Sequence, residues 1–115
     1  MIMGSEEQEY KDTLDAVERG DESAKTKLAW YMLSGSGGAD VDAKGAVAIL
    51  EDRVKKGDGE AVWMLGLCNE FGIGTDKDIE RATKLYGQLR YSGNRIGLIL
   101  LNKQKGRGFL EITRL

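Results

Sequence analysis

Residues 60–93, EAVWMLGLCNEFGIGTDKDIERATKLYGQLRYSG, decide the fold. Ala61, Leu65 and Cys68 recur at helical spacing, and so do Ala82, Leu85, Tyr86 and Leu89. Between the two runs stand Gly72, Gly74 and a short polar loop. Apolar residues three and four apart, interrupted by glycines, predict two amphipathic helices joined by a tight turn.

The same order of residues occurs once before. Ala24, Leu28 and Gly35 precede Ala61, Leu65 and Gly72 by 37 positions each, and Ala46 precedes Ala82 by 36. It begins again afterwards, since Gly97, Leu101 and Gly108 follow the central set by 36. The one-residue difference falls in the loop, where GSGGADVD, inside the longer SGSGGADVD, stands in place of GIGTDKD. A period near 36, carried by small and apolar residues in fixed order, predicts an array of helical hairpins. The junctions repeat too: Gly20-Asp21, Gly57-Asp58 and Gly93-Asn94 each close one helix and open the next. Glycine tolerates the left-handed conformation after a helix, and aspartate or asparagine accepts hydrogen bonds from the free amides of the following one.

This pattern resembles the Sel-one-like repeat family, a longer-looped relative of the tetratricopeptide repeat. The residues that carry the resemblance in the second copy are Ala61, Leu65-Gly66-x-Cys68-Asn69-x-x-Gly72-x-Gly74, Asp78, Arg81-Ala82 and Tyr86. The first copy has Ala24, Leu28-Ala29-x-Tyr31-Met32-x-x-Gly35-x-Gly37, Asp42 and Ala46. Cys68 and Asn69 depart from the family's Leu and Tyr, and Ala29 replaces its glycine; the third copy keeps Leu101 and Gly108 but has Asn102, Gln104 and Lys105 at consensus positions. The resemblance covers about residues 20–108. It implies an all-α fold, a right-handed α-α superhelix, and adaptor or scaffold roles in assembling complexes, often as one segment of a larger protein.

Taken in order, residues 1–5 read as a disordered or tag-derived start. The repeat domain spans 6–108, divided into a capping helix (6–20), repeat one (21–57), repeat two (58–93) and a partial repeat three (94–108). That is six helices in about two and a half repeats, followed by a tail, 109–115, that is either a short helix or an extended arm. By register the capping helix, with Tyr10, Leu14 and Val17 on one face, is a second-type helix without a first-type partner before it. Asp42 is the expected N-cap of a helix over 43–56, and Asp76 or Asp78 that of a helix over 77–92.

Composition narrows the function. No histidine is present, which removes the commonest general base, the usual triads and most zinc sites. Cys68, the one thiol, takes a Leu position of the repeat and reads as a small buried hydrophobe. The glycine loops at 35–38 and 72–75 follow helices and lack the Gly-Lys-Ser/Thr of a phosphate loop. The acids at 76–80 lack the glycine and distal glutamate of a calcium loop. A net charge of −2 and pI near 5.2 give no basic field for nucleic acid or acidic lipid, and Lys103, Lys105 and Arg107 read as a solvated helix end. No apolar run is long enough to span a membrane. Nothing at the start has the pattern of a secretory signal, and with a lone cysteine a cytoplasmic location is expected. The expectation is therefore a non-enzyme without metal or cofactor.

What survives is a surface. Counting along the first helix of each repeat places Thr26, Trp30, Leu33 and Ser34, then Trp63, Leu67, Glu70 and Phe71, then Ile96, Ile99, Lys103 and Arg107 on the concave side. Repeat proteins bind on such faces, and tryptophan anchors dominate interface energies. The candidate partner-binding residues are Trp30, Leu33, Trp63, Leu67, Glu70, Phe71 and Ile99, with Glu60 and Glu70 expected to tune selectivity. Alternatively, the tryptophans wedge between neighbouring helices and complete the core. The expected function is capture of a peptide or helix of a partner protein. The alternative is a self-assembling unit that forms a homo-oligomer through the groove or through its opposite-sign ends: residues 1–20 hold six acids against two bases, and 94–115 five bases against one acid.

Overall fold

The computed structural model describes residues 2–90, 92, 94–96, 99–100 and 102–103. Among these residues five α-helices form and no strand does. They are α1 (Ser5–Glu18), α2 (Ala24–Ser34), α3 (Ala43–Lys55), α4 (Gly59–Phe71) and α5 (Ile79–Gln88), with a 3-10 turn at Ser36–Gly38. Residues 95–96, 99–100 and 102–103 are also helical, where a sixth helix is expected. Helix α1 starts at Ser5, inside the stretch expected to be a disordered start. Leu101, Arg107 and the tail 109–115 lie outside the described residues. Successive helices pack as antiparallel hairpins, α2 on α3 and α4 on α5, each hairpin laid against the one before it. The architecture is a short α-solenoid.

The two repeats match down to single bonds. Gly35 and Gly72 end α2 and α4 in the left-handed region, at φ 72° and 70°. After each turn the chain is clasped back onto the helix it left: the Asp42 amide donates to the Met32 carbonyl at 2.9 Å, and the Asp78 amide to the Asn69 carbonyl at 2.7 Å. The same two aspartates then cap α3 and α5, their carboxylates accepting from the Gly45 and Arg81 amides, both at 2.9 Å. Asp78 rather than Asp76 is thus the cap. At the other junctions, Asp21 accepts from the Ser23 amide and Asp58 from the Glu60 amide, at 3.1 and 3.0 Å. The Asp42, Asp58 and Asp78 carboxylates each satisfy a donor that the first turn of a helix leaves free, whereas Asp21 holds the turn just before α2, whose N-cap is Ser23.

Close backbone approach sets how one repeat sits on the next. A Cβ on Gly37 would stand 2.6 Å from the Glu6 carbonyl oxygen, and a Cβ on Gly74 would run into the carbonyl of Ala43. Glu6 and Ala43 are 37 residues apart, as are Gly37 and Gly74. Helix α1 is therefore a second-type helix, equivalent to α3, as the register implies.

The core follows the repeat with one exchange of volume. Ala29, Ala46, Leu50, Ala61, Leu65, Ala82 and Tyr86 are all fully buried. Gly66 lies so close under the Tyr86 ring that any side chain there would collide with it. At the equivalent places in repeat one stand Ala29 and Leu50, so a larger residue on the first helix faces a smaller one on the second. Constant total volume keeps both hairpins at native packing density. Leu28 is only half-buried, whereas its equivalent Leu65 is fully buried. The reason is position: α4 has α2 beside it, but no described first-type helix precedes α2.

One ion pair ties the second-type helices together. Arg81 of α5 donates to both carboxylate oxygens of Glu51 on α3, at 2.6 and 2.7 Å. The Arg81 hydrogen bonds hold the Glu51 carboxyl below its ordinary range, against a smaller opposing effect of burial. Both side chains are more than a third exposed, so solvent screening keeps the contribution small.

Two outcomes follow from this packing. Gly38, at φ 80° with open space around its Cβ position, and Gly74, at φ 70° against the Ala43 carbonyl, separate backbone strain from collision. Gly38→Ala is expected to cost about 1–2 kcal/mol in urea unfolding, and Gly74→Ala at least about twice that; equal costs would mean the close approach is not structural. Glu51→Gln is expected to lower stability by under about 1 kcal/mol at neutral pH. Because the folded-state pKa of Glu51 is depressed, this stability is present above the ordinary glutamate value of 4.5 and is lost as pH falls through the lower folded value. Urea titrations of wild type and variant should therefore converge in acid.

Candidate functional site

Helices α2 and α4 lie side by side on one face and leave a groove between them. It has a volume of about 220 Å³ and is lined by Trp30, Leu33, Ser34, Trp63, Met64, Leu67, Cys68 and Ile73. Four of the expected binding residues, Trp30, Leu33, Trp63 and Leu67, are thus brought together. Trp30 stands on the rim with 44% of its surface exposed. Trp63 and Leu33 are half-buried and also pack against the central core. The two alternatives, groove or core, are therefore both partly realised in the same side chains.

Three expected residues fall elsewhere. Glu70 is 5% exposed, so its carboxylate lies inside the solenoid and not on the open face where it was expected to tune selectivity. Phe71, on the last turn of α4, is 57% exposed but does not line this groove. Ile99, on the segment beyond α5, is 54% exposed and also lies outside the lining. Thr26 is 4% exposed rather than concave-facing, its hydroxyl donating to the Asp58 carboxylate at 2.5 Å.

Met64 and Ile73 belong to the groove although sequence counting passed them over. Ile73 follows the left-handed Gly72, and its amide donates to the Cys68 carbonyl at 2.9 Å. That bond turns the loop back over the end of α4 and carries the isoleucine to the groove. An apolar residue immediately after a helix-ending glycine was the available signal, because a C-terminal turn of this kind often folds an apolar side chain back onto its helix.

A second hollow, about 420 Å³, continues the groove past Trp30 and Met64, which line both. Its remaining lining is polar: Ser23, Thr26, Lys27, Asp58 and Glu60. Asp58 is the centre of this end. Besides the Glu60 amide and the Thr26 hydroxyl, it meets the Arg53 guanidinium at 3.5 Å. Arg53 in turn reaches Glu22 at 3.8 Å. The Glu22 carboxyl is held low, first by its hydrogen bond with Lys25. The concave face therefore grades from an apolar end to an end of paired charges.

Little here serves covalent chemistry. The Cys68 thiol is 1% exposed, and burial pushes it up to about 11, so it stays protonated and inert near neutrality. Among the described residues no group of three or more Cys, Asp or Glu side chains is placed to hold a metal ion. Among them, too, no helix is long and apolar enough to cross a membrane.

No family model matches the chain, and none of the curated proteins matches it. Solved structures do. A Sel1 repeat protein from Oxalobacter formigenes, known from its crystal structure, superposes with a TM-score of 0.69 at 26% identity over 84% of this chain. The chain has a Sel1-like repeat fold. It spans 39% of the length of that protein's chain. The hairpin register, the turn glycines and the capping aspartates described above are thus those of a Sel1-like repeat array, a fold that generally serves as a protein-interaction module.

Proposed function

We propose that this Sel1-like repeat chain is a non-catalytic interaction module, an adaptor or scaffold, that takes a peptide or helix of a partner protein in the groove between α2 and α4. The observation that supports this reading is the convergence of both tryptophans of the chain on one apolar groove, together with Leu33, Leu67 and Ile73. Trp30 and Ile73 remain 44% and 41% exposed there. Exposed aromatic and aliphatic groups gathered in a concavity gain free energy when a partner excludes water from them. Tryptophan suits the role because it offers a large rigid apolar surface with one polar donor. The lone cysteine, buried and unpaired, is consistent with a cytoplasmic setting.

The test is capture of partners from source-organism extract by wild type, Trp30→Ala and Trp63→Ala, each shown by circular dichroism to be folded. Loss of an anchor is worth about 2 kcal/mol or more, so the affinity of a captured partner is expected to fall about thirtyfold. Partners bound equally well by both variants would move the binding face away from the groove.

A second reading, the self-assembling unit, has the acidic character of α1 behind it, where Glu6, Glu7, Glu9, Asp12, Asp15 and Glu18 stand against Lys11. Sedimentation across a salt series tests it. A mass that stays monomeric at all salt concentrations eliminates this reading, whereas an oligomer that dissociates as salt rises supports assembly through the charged ends.

A further inference from the structure

The two repeats solve the same junction in different ways, and the difference falls on the groove. In repeat one, Thr26 is buried, and its hydroxyl donates directly to Asp58, the residue that caps the next first-type helix. The equivalent residue in repeat two, 37 positions on, is Trp63, and the equivalent of Asp58 is Asn94. An indole is too large to occupy the place of a threonine. Here the connection runs through a third group: the Trp63 indole Nε1 donates to one oxygen of Glu60 at 2.9 Å, and Asn94 Nδ2 reaches its other oxygen at 3.5 Å. Glu60 sits in the first turn of α4, where a carboxylate is favoured by the helix dipole. Its counterpart in repeat one, Ser23, has too short a side chain for such a bridge.

We propose that Glu60 is a positioning residue, which fixes the Trp63 indole as the wall of the groove and couples it to the start of the following repeat. Its exposed carboxylate, which also lines the polar end of the groove, is thereby engaged within the chain. Trp30, on the opposite side of the groove, has no such tether: its indole N–H has no hydrogen-bond partner among the described residues. One wall is fixed and the other is free to adjust. The consequence for binding rests on the groove reading above, but the positioning itself is tested without any partner.

The chain has two tryptophans, so its indole N–H groups give two nitrogen-correlated proton resonances, assigned with Trp30→Phe and Trp63→Phe. In Glu60→Ala the Trp63 resonance should shift, and its exchange with water should rise about fivefold, the factor one ordinary hydrogen bond is worth. The Trp30 resonance should stay in place. Glu60→Gln keeps an acceptor oxygen and should restore both the position and the slow exchange of the Trp63 signal. The proposal is overturned by an unchanged Trp63 signal in Glu60→Ala, or by Glu60→Gln behaving like Glu60→Ala. Equal disturbance of both indoles also overturns it, because the carboxylate would then support the fold and not Trp63. None of these outcomes depends on the partner-capture experiment, so the two readings fail separately.

Discussion

Backbone-to-backbone contact at two glycines is the constraint on which this solenoid depends. Gly37 lies against the Glu6 carbonyl and Gly74 against that of Ala43, so each inter-helix turn rests on the first turn of the second-type helix before it. No side chain fits between, and both glycines have positive φ, which other residues adopt only with strain. A contact that admits no spacer leaves little freedom in the angle between one hairpin and the next. That angle brings α2 and α4 alongside each other, and the groove is the space their side chains leave.

Polar groups then set the register along the helices. Asp42 and Asp78 each donate back to the preceding helix and cap the following one, with nearly the same backbone angles, φ −144° and −146°. Two hydrogen bonds therefore recur in both copies of one loop although the loops differ by a residue. The insertion is absorbed at Gly38, a third left-handed glycine with open space around it. Apolar volume is conserved by exchange rather than by identity, as Gly66 under Tyr86 and Ala29 beside Leu50 show.

Against this regular frame the irregular positions stand out, and they gather on one face. Trp63 takes the place of a buried threonine, Met64 that of Lys27, and Leu67 that of Trp30. Met64, in place of the exposed Lys27, also enters the buried core, and Trp63 packs against it. Together these exchanges make an apolar groove with tryptophans on both walls. The similarity to the Oxalobacter formigenes Sel1 repeat protein, at a TM-score of 0.69, speaks for the frame; a fold does not fix a function, so the function is argued from the groove's side chains.

Helix type and order, the turn glycines, the caps Asp42 and Asp58 and the burial of Cys68 were legible in the sequence, because each is decided within a few residues of chain or by a repeated interval; of the six helices expected, five are complete among the described residues. Periodicity also put Trp30, Leu33, Trp63 and Leu67 on one side. It could not tell that Glu70 and Thr26, on the same nominal side, would be enclosed. An angular position around a helix says where a side chain points, not which neighbouring helix will cover it. That depends on the hairpin-to-hairpin angle, set by contacts 31 residues apart such as Gly37 on Glu6. Ile73 joined the groove for a related reason: a single hydrogen bond to the Cys68 carbonyl returns its loop over the end of α4. Local chemistry and repetition determine the elements and their order; only the packing of one hairpin on another decides which side chains remain open to a partner.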